Sequence, residues 1–127
     1  MSVLLDLSVF PVDQGSSLSR FVAPVVEAIA ASGHAYALTA MGTQVETDTL
    51  AQALALIEKA HAILAEQGCE RVYATAKLDI RANANGRLSG KIAAVRRRLH
   101  PRDQERPSRQ DHDQNRTPEG SKEGLAP

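Results

Sequence analysis

The stretch Glu70-Arg71-Val72-Tyr73-Ala74-Thr75-Ala76-Lys77-Leu78-Asp79-Ile80-Arg81 alternates polar and apolar residues along its length. A period of two belongs to a β-strand, whose successive side chains point to opposite faces of a sheet. The apolar set Val72, Ala74, Ala76, Leu78 and Ile80 is expected to meet helices. Arg71, Tyr73, Thr75, Lys77, Asp79 and Arg81 are then left on an open face.

The same alternation opens the chain. Val3, Leu5, Leu7 and Val9 share one side, Leu4, Asp6, Ser8 and Phe10 the other, and Pro11 ends the run. Between these two strands, Ala40-Met41-Gly42-Thr43-Gln44-Val45-Glu46 joins two short β-prone segments, 34–40 and 43–47, through a tight hairpin at Met41-Gly42. Gln44 and Glu46 join the open face by parity. Two helices fill the gaps. Ser16 and Ser17 are expected to cap the first, which carries Leu18, Phe21, Val22, Val25 and Ile29 at three-four spacing and ends at Gly33. Pro24 lies inside that pattern and predicts a kink or a late start. Thr47, Asp48 and Thr49 are candidate caps for the second helix, whose inner stripe reads Leu50, Leu54, Ile57, His61 and Leu64 before Gly68. After the long strand come a turn at Asn83, Asn85 and Gly86 and a short final helix over 91–99.

Strand, helix, strand, strand, helix, strand is the split βαβ order of the α+β ferredoxin-like βαββαβ sandwich. It has a four-stranded antiparallel sheet with helices on one face.

Of the 127 residues, 43% are hydrophobic, and a globular composition holds to about residue 99. The domain is therefore expected over 1–99. From His100 onward, Pro101, Pro107, Pro118 and Pro127 punctuate a charged run that cannot bury enough surface to offset its ordering entropy, so 100–127 reads as a disordered tail. The net charge is zero, which gives no field favouring nucleic acid. The one basic cluster, Lys91 to Arg98, reads as cations complementing a helix C-terminus. Cys69 is the single cysteine, so the chain offers neither an internal disulfide nor a cysteine metal site, and a buried structural thiol is expected. Met1 to Asp6 lacks the basic region of a signal peptide. No apolar run approaches the roughly 20 residues that span a bilayer, so a soluble cytoplasmic protein without membrane partners is expected.

The open face carries both signs of charge, hydroxyls and two aromatics. Antiparallel sheets often wet one face, in which case Lys77, Asp79 and Glu46 are solvated ion pairs of little energetic weight. The other reading is a recognition surface on which aromatics stack against a planar ligand.

The opening Val3-Leu4-Leu5-Asp6-Leu7-Ser8-Val9-Phe10-Pro11, the hairpin Met41-Gly42-Thr43 with Glu46, the second helix with His61, and the block Arg71 to Arg81 together resemble the thiamine-binding-protein family of small ferredoxin-like proteins, which includes the YkoF-like binders. The resemblance covers 2–99 and departs at Ala40 and Thr47. It implies a non-catalytic oligomer that binds thiamine or its hydroxymethylpyrimidine part, in salvage or transport, with no cofactor required. An exposed edge strand in a domain of this size itself predicts a homodimer or homotetramer, and the spacing of His34, His100 and His112 predicts no metal site. Chemistry then assigns roles. Glu46 or Asp79 would accept from the exocyclic amine, Ser8 or Thr43 would satisfy a ring nitrogen, and Tyr36, Phe10 or Met41 would pack on the ring, with Lys77 beside them.

Two rival readings stand beside this one. A structural or regulatory homo-oligomer would use the open face as a protein interface. A small enzyme would draw acid and base groups from Lys77, Asp79, Glu46 and His61, although no phosphate loop, activated nucleophile or metal constellation accompanies them. A lone histidine on an apolar stripe, as His61 is read here, is ordinarily a core or interface residue.

Overall fold

The computed structural model describes residues 1–99. The expected tail, with His100 and His112, lies outside the described residues. Seven elements follow in order: β1 (Ser2–Pro11), α1 (Ser19–Ala31), β2 (Ala35–Thr39), β3 (Gly42–Thr47), α2 (Leu50–Glu66), β4 (Val72–Arg81) and α3 (Arg87–Arg98). The strands form one sheet in the order β2-β3-β1-β4, every neighbouring pair antiparallel. This is the ferredoxin-like βαββαβ sandwich, with α3 added at the end.

The register fixes the two faces. Leu5 lies opposite Val45 on one side and Leu78 on the other, so these residues share the face covered by α1 and α2. Val3, Leu5, Leu7, Val9 and Val45 pack there against Phe21, Val25 and Ile29 of α1 and Ala53, Leu56, Ala60 and Leu64 of α2. At roughly 1.5–3 kcal/mol for each large side chain buried, this core outweighs every exposed ion pair, each worth at most about 1 kcal/mol.

Four expectations are corrected. First, α1 is not capped by Ser16 or Ser17. It starts late, at Ser19 after an uncapped Leu18, and accommodates Pro24 inside.

Second, the buried stripe of α2 is Ala53, Leu56, Ala60 and Leu64, with Ile57 and Ile63 partly buried. Leu50, Leu54 and His61 are exposed. Small alanines let the helix approach closely, whereas the sequence reading had followed the larger side chains. Of the three candidate caps, Thr49 makes a capping box with Gln52, and the Thr47 hydroxyl instead donates to the Thr49 carbonyl.

Third, Ala74, Ala76, Leu78 and Ile80 point to the helix side by register but stay exposed, Ile80 to 50%. The two helices sit over β1 and β3, and β4 is the sheet edge beyond their reach. Only Val72 joins the core margin.

Fourth, α3 begins at Arg87, four residues before the expected start, and lies against the opposite, open face. Arg96, Arg97 and Arg98 fill its last turn, as its dipole favours.

Candidate functional site

β3 ends earlier than the strand it pairs with. The β1–β3 register stops at Leu7 opposite Thr43, while β1 runs on to Pro11 paired only with β4. Beyond Leu7 one edge of β1 has no strand beside it. The hairpin tip is tied by Thr39, whose hydroxyl donates to the Gly42 carbonyl at 2.8 Å and accepts from the Met41 amide at 3.3 Å. Gly42 has φ +154, and a Cβ there would stand 2.7 Å from the Leu7 carbonyl oxygen. Only glycine lets the tip lie this close to β1.

Between the free β1 edge, α1 and the hairpin lies a cleft of about 330 Å³. Val22 and Val26 form one wall, Leu38 and Met41 the other, with Ser8, Phe10 and Thr43 along the floor and rim. Thr43 is only 5% exposed, and among the described residues its hydroxyl makes no hydrogen bond. No lining residue carries a titratable side chain.

A second cavity, about 500 Å³, lies on the other face between the sheet and α3. Its floor includes Leu4, Asp6, Gln44, Lys77 and Asp79, and its roof Leu88, Lys91 and Ile92. Two clamps hold α3 there. The Glu46 carboxylate accepts from the backbone amides of Arg87 (2.9 Å) and Leu88 (3.2 Å) and from the Ser2 hydroxyl, capping the helix from the neighbouring sheet. The buried Arg87 guanidinium donates to the Ser2 hydroxyl (3.1 Å), the Ser2 carbonyl (2.7 Å) and the Asp79 carbonyl (2.6 Å), and pairs with the Asp79 carboxylate at 2.9 Å. Lys91 adds a 2.6 Å ion pair to the same carboxylate.

Partial burial pushes the Glu46 carboxyl up. The hydrogen bonds from Ser2, Arg87 and Leu88 and the Arg87 charge outweigh it and hold the group below its ordinary value. Hydrogen bonds from Lys91 and then Arg87 hold Asp79 low as well. Both carboxyls bind protons more weakly folded than unfolded, so their contribution is present above the unfolded carboxylate values of about 4 and is lost as pH falls through the folded ones. A melting series from pH 7 to pH 3 is therefore expected to fall in its acid limb, and Glu46→Gln to lower the melting temperature at pH 7 while flattening that limb. An unchanged limb would mean that the cap carries no linkage. Burial raises the Cys69 thiol, a nearby Asp13 adding to the effect and Arg20 opposing it, as suits a structural cysteine.

The eight site residues read from the sequence do not form one site. Ser8, Phe10, Met41 and Thr43 line the hairpin cleft, and Lys77 and Asp79 the open-face cavity. Glu46 is engaged under α3, and Tyr36, opposite Val45, lines neither. Phe10 stacks at a tilt on Tyr73, ring centroids 5.7 Å apart. His61 sits exposed on α2, which covers the face opposite Lys77 and Asp79, so the acid-base set of the enzyme reading is not assembled. No group of metal-ligating side chains occurs among the described residues, and no helix there is long and apolar enough to cross a membrane. Sequence reasoning missed Arg87. Leu88, Ile92, Val95 and Leu99, spaced three and four apart, carried the signal that the last helix extends back to it.

Comparison with known proteins agrees with the fold. The family profile described as "Thiamine-binding protein" matches residues 5–96. A UPF0045 protein of Methanothermobacter thermautotrophicus is 33% identical over 98 residues, covering 76% of this chain and 99% of the relative. A hypothetical protein of Methanocaldococcus jannascii superposes with a TM-score of 0.66 at 26% identity, over 74% of this chain and 95% of the other. A Thermotoga maritima protein, described as a candidate for thiamine biosynthesis or salvage, shares the fold with a TM-score of 0.65 at 19% identity, over 75% and 99%. With the profile spanning nearly the whole described domain and a relative matched at one residue in three, the chain belongs to the thiamine-binding protein family.

Proposed function

We propose that this protein binds thiamine, or its free hydroxymethylpyrimidine part, with the aminopyrimidine ring in the hairpin cleft. The observation that carries this reading is the apolar cleft beside the unpaired edge of β1, lined by Thr43, whose solvent-reached hydroxyl has no protein partner among the described residues. An aminopyrimidine presents ring-nitrogen acceptors and an exocyclic amine along one edge. A hydroxyl donor and strand carbonyls meet that pattern, and the apolar walls around them strengthen the hydrogen bonds that a bound ring would make. Met41, Leu38 and Phe10 offer the thioether and hydrocarbon surface that a flat ring needs. In this geometry the amine is received by backbone carbonyls, not by Glu46 or Asp79. A cleft without titratable groups supports capture and delivery, as in salvage or transport, over turnover.

Isothermal titration with thiamine and, separately, with hydroxymethylpyrimidine tests the reading. Saturable binding in the micromolar range is expected, weakened about tenfold or more by Thr43→Val, since one good hydrogen bond in a dry site is worth roughly 1–2 kcal/mol. Absence of heat with both compounds, or full affinity in Thr43→Val, would remove the cleft from consideration.

The reading includes self-association. β4 is a ten-residue edge strand with an unpaired backbone edge and an exposed apolar row, and folded proteins seldom leave such an edge bare. A homodimer, or a dimer of dimers, would cover it. Sedimentation at micromolar concentration is expected to show no free monomer; a monomer alone would contradict the assembly.

A further inference from the structure

The floor of the open-face cavity is a straight polar row. Register places Gln44 opposite Asp6 and Asp6 opposite Lys77, side by side across β3, β1 and β4 on the face that α3 roofs. Directly opposite residues hold their Cβ atoms about 5 Å apart, yet Asp6 and Lys77 form no ion pair. Among the described residues none of the three side chains makes a hydrogen bond. The neighbouring charges are different. Asp79 is shared between Arg87 and Lys91, and Arg87 is consumed by Ser2 and Asp79. The roof above the row, Leu88 and Ile92, is apolar, as is Leu4 on the floor.

A carboxylate and an ammonium standing adjacent without a protein partner, beneath a hydrocarbon lid, form the complement of a small zwitterion with an apolar arm. We propose that this cavity is a second ligand site, distinct from the hairpin cleft, and that it takes a free α-amino acid with a large aliphatic side chain. The ligand ammonium lies against Asp6. Its carboxylate lies against Lys77, on the side of Asp6 away from Gln44, with Lys91 at the rim, and its side chain fills the space among Leu4, Leu88 and Ile92. The volume of about 500 Å³ falls within the range of small-molecule sites. The pairing is charge-assisted at both ends, which makes it selective for molecules carrying both groups at the right separation. The proposal does not depend on thiamine binding, because the two cavities share no lining residue.

The test titrates the purified full chain with L-leucine, 4-methylpentanoate, which lacks the amine, and 3-methylbutylamine, which lacks the carboxylate. Leucine is expected to bind with Kd below about 1 mM and each truncated analogue at least about tenfold more weakly. Asp6→Asn is expected to weaken leucine about tenfold while leaving 4-methylpentanoate unchanged, since that analogue has no amine to lose. Lys77→Gln is expected to weaken leucine and 4-methylpentanoate but not 3-methylbutylamine. Melting curves of both variants confirm that they remain folded. No saturable leucine binding up to 10 mM, about ten times the expected Kd, or equal binding of all three compounds, would overturn the assignment and leave Asp6 and Lys77 as a solvated cross-strand pair.

Discussion

Gly42→Ala is expected to lower the melting temperature by about 10–20 °C and to abolish ligand binding in the hairpin cleft. The new methyl would stand 2.7 Å from the Leu7 carbonyl oxygen, a backbone atom of a central strand that cannot swing aside as a side chain would. It would also force an L-residue to adopt φ +154. Backbone strain of this kind costs about 1–3 kcal/mol, and relieving the clash by moving the hairpin sacrifices ladder bonds between β1 and β3. A total of roughly 2–4 kcal/mol corresponds to the stated shift for a domain near 100 residues. Gly33→Ala is the informative comparison. Gly33 also has positive φ, +81, but nothing lies within 4 Å of its Cβ position, so only about 1 kcal/mol is at stake. Equal melting shifts for the two variants would show that the close approach to Leu7 contributes nothing.

Arg87→Met should have the second large effect. The guanidinium is 7% exposed and bridges the first strand to the last, reaching the Ser2 carbonyl, the Ser2 hydroxyl and both the carbonyl and the carboxylate of Asp79. Removing one partner of a buried charge pair costs about 3–5 kcal/mol. Here Asp79 is half exposed and can rehydrate, so about 2–3 kcal/mol is the better expectation. Methionine keeps the packing of the arginine stem, so the loss reports the bonds and not a cavity. Arg87→Lys is not expected to rescue the protein, because one ammonium cannot span acceptors on two strands as a planar fork does. Thermal melts of both variants, beside titrations of the two cavities, provide the check. Thiamine binding at the hairpin should persist while leucine binding under α3 disappears. A melting temperature within about 2 °C of the parent would show that α3 is held by something else.

Alternation in 3–10 and 71–81 carried the fold, because a period of two leaves no freedom once one face is known, and the register honours every parity assignment in those strands. Coverage is another matter. Whether Ile80 is buried depends on where α2 comes to rest over the sheet, which no local pattern encodes. Alternation therefore placed Ile80 on the correct face and in the wrong environment. The stripe of α2 misled for a related reason, since the residues in closest contact are alanines, and hydrophobicity ranks them below the leucines that face outward. At the candidate site the chemical types were readable and their grouping was not. Thr43 and Glu46 lie three residues apart in one strand and so point to opposite faces. That parity separates these two residues, while Ser8 and Phe10 reach the hairpin cleft because β1 runs on past the end of β3. Arg87 escaped notice because its importance arises from Ser2, 85 positions earlier in the chain.

That span gives the clamp on α3 a kinetic meaning. Contacts joining the two ends of a domain close the longest loops, and they are expected to form after the sheet and its core. A helix attached by a few polar bonds, with Ile92 and Val95 largely exposed, belongs to the low-stability end of the molecule. It can detach and return while β1, β3 and the two core helices stay intact. Amide exchange in α3 would then run ahead of the rest of the domain, and the space beneath it, already open to solvent past Lys77 and Lys91, would widen with each such opening.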